Sequence, residues 1–239
     1  MKRICLFLIF CLLMKTPQAQ VAGERRVEIN SEGWKLIGEL NIPPSKSLVP
    51  VVLMLNKAAG DRTVYKNLAD KLSEKSIASL RLDLRGHGES INLDKFIPGK
   101  EERSSMIWDA NIDITAVHNF LKKYPGIDSN KICIIGGSYS GEEMAEAGRL
   151  SGYAQAYVAL SPGSFSDESI MGIDKCDVPW LFIVSKDESY LKEITASVQA
   201  NSKKVELLIL PGSAHATDLM NEHPALADRI AVWIEYVFK

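Results

Sequence analysis

The sequence predicts an α/β protein, a mostly parallel eight-stranded sheet with helices on both faces. Three observations lead there. Short apolar runs alternate with helical patterns from Val27 to the end. Several of these runs are apolar at every position, as expected of strands covered on both sides. The 239 residues are 46% hydrophobic and 24% charged, enough apolar material for a sizeable core at an ordinary soluble charge content. The expected organisation is a leader over residues 1–22, then one α/β domain over 23–239.

The leader reads as a secretory signal. Lys2 and Arg3 supply positive charge, and Ile4–Met14 is an unbroken apolar run of eleven residues. A membrane-spanning helix takes about 20 residues, so a stable span is not expected. The small residues Ala19, Ala22 and Gly23 put cleavage between Ala19 and Gly23, and the protein is expected to be exported, periplasmic or secreted. Cys5 and Cys11 leave with the leader. Of the remaining cysteines, Cys133 lies in an apolar run and reads as a small buried hydrophobe. Whether it bridges to Cys176 is not fixed by two cysteines alone.

The elements follow in order. Val27–Asn30 and Leu36–Ile42, separated by Ser31-Glu32-Gly33, read as an antiparallel hairpin. Val51–Leu55 is a buried strand. Val64–Glu74 is a helix with Leu68 and Leu72 on one stripe, and Ile77–Leu84 is the next strand. After a long polar loop, Met106–Lys123 is helical, with Ile112, Ala116 and Phe120 recurring every fourth residue. Ile132–Gly136 is a strand, Glu142–Leu150 a helix, and Ala156–Leu160, Trp180–Val184 and Val205–Leu210 are strands. Tyr190–Asn201 and Ala225–Phe238 are helical. Ser161–Val178 is left as a loop, too short for a large lid, with Met171 and Ile173 lining a small pocket and Ile91–Ser105 as its other wall.

Lys+Arg 28 against Asp+Glu 30 gives a net charge of −2, and no basic run is present. Duplex nucleic acid is therefore a poor partner, since affinity there comes from neutralising phosphates. Clustered His and Cys ligands are missing from the sequence pattern, so no metal or organic cofactor is implied.

Chemistry is expected at the carboxyl ends of the strands, where crossover connections place their loops. The sharpest signal is Ile134-Ile135-Gly136-Gly137-Ser138-Tyr139-Ser140-Gly141, where a buried strand turns into a helix. A Ser at such a corner has its hydroxyl pushed out of the sheet, and the residues two before and two after must be small. Gly136 and Ser140 meet that demand for Ser138. For Ser140 the flanking pair would include Glu142, which is too large. The backbone N–H of Tyr139 then lies at a helix start, placed to meet a developing oxyanion. A serine hydroxyl needs a base. His118 lies within a helix, His223 precedes Pro224 at a turn, and His87 sits in the turn-rich Asp83–Ser90. His215 follows the last strand among small residues and is the chosen base. The acid comes from Ser185-Lys186-Asp187-Glu188, after the preceding strand, with Asp187 the default by residue type and Glu188 its rival.

At these residues the chain resembles the α/β-hydrolase superfamily, particularly small cap-poor members such as dienelactone hydrolases and serine carboxylesterases. The specific pieces are Asp83–Ser90 (DLRGHGES), Asp109 through Gly141, and the spacing to Asp187/Glu188 and His215. The order Ser…acid…His is the one expected there. The resemblance implies an α/β-hydrolase fold with minimal or no cap. It also implies Ser138 as nucleophile, His215 as base, and Asp187 or Glu188 as acid. Asp109 and Asp83–Ser90 become structural landmarks. Asn56-Lys57 stands where the family often has His-Gly, so Ala58 supplies the second oxyanion N–H and Lys57 is a substrate-side charge. Counted without gaps from Ser185, where the family commonly has Gly, the acid falls on Glu188. The implied activity is hydrolysis of a carboxylic ester or thioester of a small acyl substrate through an acyl-enzyme. An amide hydrolase or exopeptidase on the same residues, and a non-catalytic ligand-binding protein, are the alternatives.

Overall fold

The computed structural model describes residues 22–100, 104–163, 165–188 and 204–239. The expected leader and the helix expected over Tyr190–Asn201 lie outside the described residues. No helix among the described residues is long and apolar enough to cross a membrane.

The hairpin forms as expected. β1 (Gly23–Ser31) and β2 (Trp34–Ile42) pair antiparallel through Glu32 and Gly33, both at positive φ (48° and 87°). A two-residue turn of this hand matches the twist of the strands it joins, and glycine adopts it without steric cost. β3 (Val49–Leu55), β4 (Ala78–Leu82), β5 (Ile127–Gly137), β6 (Ala156–Leu160), β7 (Trp180–Ser185) and β8 (Val205–Leu210) complete one sheet in the order β1-β2-β4-β3-β5-β6-β7-β8. Only β1 with β2 and β2 with β4 are antiparallel.

Side chains alternate across the sheet and build two cores. Val51, Leu53, Leu55, Ile132 and Ile134 face one side, beneath α3 (Ala110–Lys123), α4 (Tyr139–Ser151) and α5 (Asp167–Lys175). Val52, Met54, Cys133 and Ile135 face the other, beneath α1 (Lys66–Glu74) and the last helix, α7 (Leu226–Val237). This is why the strand runs lack polar alternation, since both faces are covered. Cys133 is fully buried with its thiol pushed up by desolvation, and both it and Cys176 are free thiols.

Three expectations need correction. The segment Ser161–Val178 carries α5. Its Ser166 hydroxyl caps the helix by accepting from the Ser169 N–H at 3.1 Å, with Asp167 and Glu168 in the first turn and Lys175 in the last. Those are ordinary helix-start and helix-end signals. Ile173 is consequently core rather than pocket, and Met171 is exposed. The expected helix Met106–Lys123 breaks at Asp109 into α2 (Ser104–Trp108) and α3, and α3 buries Ile114, Val117 and Leu121 while Ile112, Ala116 and Phe120 stay half-buried. A short helix, α6 (Asp218–Glu222), follows the loop after β8.

The Asp83–Ser90 loop is a buried scaffold. Asp83 is fully buried and accepts from the backbone N–H groups of Arg62 (2.7 Å) and Glu89 (3.0 Å), and its carboxylate pairs with the Arg62 guanidinium. A Cβ at Gly88 would lie 2.1 Å from Asp83 Oδ2, so only glycine fits. Arg85 Nε and Nη2 donate to fully buried Asp113 at 3.0 and 2.7 Å, and the Arg85 backbone N–H donates to the same carboxylate at 3.0 Å. Asp113→Ala strips a buried guanidinium and a buried N–H of their acceptor together. The expected cost is about 3–5 kcal/mol, a fall in Tm of roughly 6–20 °C. Thermal unfolding of the variant checks this.

Candidate active site

The strand ends line up. Gly137 of β5 pairs with Leu160 of β6, and Ser185 of β7 pairs with Leu210 of β8, so the loops that follow share one edge. Those after β5, β7 and β8 each carry one of the expected groups.

Ser138 joins β5 to α4 at φ 56° and ψ −127°. The neighbours show why the flanking residues must be small. A Cβ on Gly136 would lie 2.5 Å from the Ser140 carbonyl oxygen, closer than any real contact. Ser140 is fully buried, its hydroxyl accepting from the Gly137 N–H (2.8 Å) and donating to the Gly137 carbonyl (2.9 Å), so its lone pairs are committed to the turn. Ser138 is half-buried and its hydroxyl makes no hydrogen bond among the described residues. Tyr139 is the first residue of α4, so its N–H has no intrahelical acceptor. Ala58 sits in the loop after β3 and is partly buried against the core.

His215 lies after β8, and its Nδ1 donates to Glu188 Oε1 at 2.6 Å. The other carboxylate oxygen of Glu188 accepts from the Ser161 hydroxyl (2.7 Å) and the Ser185 N–H (2.9 Å). Glu188 is 8% exposed, whereas Asp187 is exposed and its backbone N–H bonds the Gly212 carbonyl. Of the two acidic candidates the structure brings Glu188 to the imidazole. Asp187, the default by residue type, is exposed together with its neighbour Lys186, and the turn after β7 buries Glu188 instead. The Ser185 hydroxyl adds a bond to the Ala214 carbonyl at 2.6 Å, tying the β7 loop to the residue before His215.

The Ser138 and His215 loops pack directly together. A Cβ on Gly137 would lie 3.2 Å from Thr217 Cγ2 and 3.3 Å from Ala216 Cβ. No hydrogen bond joins the Ser138 hydroxyl to the His215 ring among the described residues. Such bonds are often long before substrate arrives and tighten in the complex. Backbone strain concentrates on this edge: Ala59, Ser138, Ser161 and Ala216 all have φ between 40° and 59°. Non-glycine residues tolerate that conformation only where the surroundings over-determine it, which is common at reactive sites.

The other candidates fall elsewhere. The Lys57 ammonium forms an ion pair with Asp218 at the start of α6, bracing the β3 loop against the His215 loop, so it does not serve as a free substrate-side charge. His87 is buried and stacked on Phe96 and Tyr139 at centroid distances of 4.8 and 5.8 Å, its pKa lowered by desolvation. His118 is buried in α3 and shifted down to about 4 by desolvation, and the His223 Nε2 donates to the Pro211 carbonyl at 3.0 Å. Ser161 and Ser185 hold the carboxylate but carry no sequence signal beyond their type. Among the described residues no group of three His, Cys, Asp or Glu side chains is placed to hold a metal ion.

Beyond the Ser138 corner, α4 presents Glu142, Glu143 and Glu146 toward a cleft of about 480 Å³ whose opposite walls come from Trp108 and α5. Burial raises Glu143 to about 8 and Glu142 to about 7, helped by repulsion among the three and, for Glu143, from Asp109. A carboxyl raised in this way holds a proton in the native state that the unfolded chain has already released. Its effect on stability is therefore most favourable below about 4.5 and declines as pH rises through about 8. Glu143→Gln removes that liability. Its Tm relative to wild type should be nearly unchanged at pH 5 and clearly raised at pH 9, read by thermal melts at both.

No family model and no curated protein matches the sequence. Solved structures do match in shape. The dienelactone hydrolase of Anabaena variabilis ATCC 29413 superposes with a TM-score of 0.66 at 19% identity, over 90% of this chain and 96% of that one. Est1E of Butyrivibrio proteoclasticus, also seen with ferulic acid bound, gives 0.66 at 17% identity over 89% and 99%. DcsB in complex with its substrate analogue gives 0.72 at 14% identity over 90% and 99%. The chain has the α/β-hydrolase fold, as the sequence resemblance implied.

Proposed function

We propose that this α/β-hydrolase-fold chain is a serine hydrolase that cleaves a carboxylic ester or thioester of a small acyl substrate. The observation that carries the reading is the His215–Glu188 pair, whose His215 loop packs through Ala216 and Thr217 against the strained corner at Ser138.

The chemistry follows from the parts. Glu188 accepts a hydrogen bond from the Nδ1–H of His215, which leaves Nε2 with a free lone pair to act as base. Ser138 gives its proton to that nitrogen as its oxygen attacks the acyl carbon. The oxyanion that forms meets the Tyr139 N–H, reinforced by the positive end of α4, and the Ala58 N–H from the β3 loop. His215 then protonates the leaving group. Water, activated by the same ring, releases the acid from the acyl-enzyme. The hydrolase-fold neighbours support this reading at the level of fold, and the Lys57–Asp218 pair supports a fixed oxyanion loop. The leader-like Lys2, Arg3 and Ile4–Met14 support export of the enzyme.

A panel of p-nitrophenyl esters of increasing acyl length, set beside aminoacyl anilides, tests the assignment. Turnover of esters with little or none of anilides is the expected result. Preference for anilides would make the chain an amide hydrolase instead.

A further inference from the structure

We propose that the cleft between α4, α5 and Trp108 binds an ammonium or guanidinium group carried on the acyl part of the substrate, a few bonds from the scissile carbonyl. This rests on the serine hydrolase reading and names the substrate class for the same site.

Four observations carry it. First, the cleft runs along α4, the helix that starts at the reactive corner. Glu142 is one helical turn beyond Ser138, about 6 Å along the axis. A Cβ built on Gly163 would lie 3.4 Å from Glu142 Oε2 and 3.9 Å from the Ser138 carbonyl carbon, so Gly163 packs against both that carboxylate and the corner. Second, the lining is acidic: Glu142, Glu143 and Glu146 from α4 and Glu168 from α5. The cation in that lining, Arg149, is already held by Glu146 through bonds of 2.8 and 2.5 Å. Third, Glu143 is only 5% exposed and its Oε2 is buried with no hydrogen-bond partner among the described residues. A buried carboxyl oxygen without a partner is costly, and a cation bound in the cleft would offset that cost by favouring the ionised form. Fourth, the indole of Trp108 stands 60% exposed at the rim, the ring type that attracts cations best.

The volume, about 480 Å³, suits a small substrate arm rather than a macromolecule. Metal binding is a different use of carboxylates, and the described residues include no group of three ligands gathered for it. The raised pKa values of Glu142 and Glu143 agree with carboxyls that lack a countercharge.

Three p-nitrophenyl esters of matched length test the proposal: 6-aminohexanoate, heptanoate and the half-ester of adipate. The expected kcat/KM order is cationic over neutral over anionic. The first step should be about tenfold to a hundredfold, the size of a charge-assisted hydrogen bond with a cation–π contact. The Glu142→Gln/Glu143→Gln double variant should bring the cationic-to-neutral ratio close to one. Trp108→Ala, at an exposed position, should lower the same ratio without depending on how the double variant folds. Equal kcat/KM for the cationic and neutral esters in the wild type would overturn the proposal. So would a preference that survives both variants. A second measurement does not need turnover: calorimetric binding of 6-aminohexanamide and hexanamide to Ser138→Ala protein. Tighter binding of the amine supports the cleft, and equal binding overturns it. If no ester is hydrolysed at all, it is the hydrolase reading that fails, and the binding pair still decides the cleft.

Discussion

Ser138→Ala is expected to lower kcat for a p-nitrophenyl ester by roughly a thousandfold to a millionfold, with thermal stability close to wild type. The size follows from losing the covalent route. What remains is whatever the oxyanion donors and substrate positioning contribute to attack by water, which in triad enzymes is a small residue of the whole. The unaffected stability follows from the corner itself. The Ser138 hydroxyl makes no hydrogen bond among the described residues, while the turn is held by backbone bonds, with the Ser138 N–H donating to the Leu160 carbonyl at 3.0 Å and the Gly141 and Gly163 N–H groups donating to the Ser138 carbonyl. Alanine leaves each of these in place. Steady-state kinetics beside a thermal melt checks both halves.

Glu188→Gln should lower kcat by about ten thousandfold, by analogy with removal of the acid's charge in other triads, while Asp187→Asn should leave kcat near wild type. The asymmetry comes from the hydrogen-bond inventory around the carboxylate. The Ser185 N–H can only donate, so a glutamine must turn its oxygen toward it and its NH₂ toward His215 Nδ1. The ring would then carry its proton on Nε2 and could not act as base. Asp187 is exposed and contacts none of these groups through its side chain, so its charge is screened by solvent. Kinetics of the two variants side by side checks the assignment, and equal losses would contradict it.

The sequence carries the sheet and the order of its chemistry because both rest on local, repeating signals. Apolar runs such as Val51–Leu55 and Ile132–Gly136 can only be covered strands, and glycine at 136 is visible as a packing demand before any coordinate is known. The choice between Asp187 and Glu188 is different. It depends on which way the turn after β7 rotates each side chain, and residue type alone favours the one that the turn leaves exposed. Ungapped counting from Ser185 points to Glu188, which is where the structure puts the imidazole's partner. Lys57 looks free in sequence because its partner, Asp218, is far along the chain. The acidic cleft is also a tertiary product. It forms only where α5, whose start is signalled by the Ser166 cap, faces Glu142, Glu143 and Glu146 of α4.

The most direct test of the account is labelling by a fluorophosphonate probe, followed by peptide mapping. Wild-type protein should react stoichiometrically, with the phosphonyl group on Ser138, and the Ser138→Ala protein should not react. A folded wild-type protein that takes no label, or one labelled at Ser140 or any other residue, would contradict it.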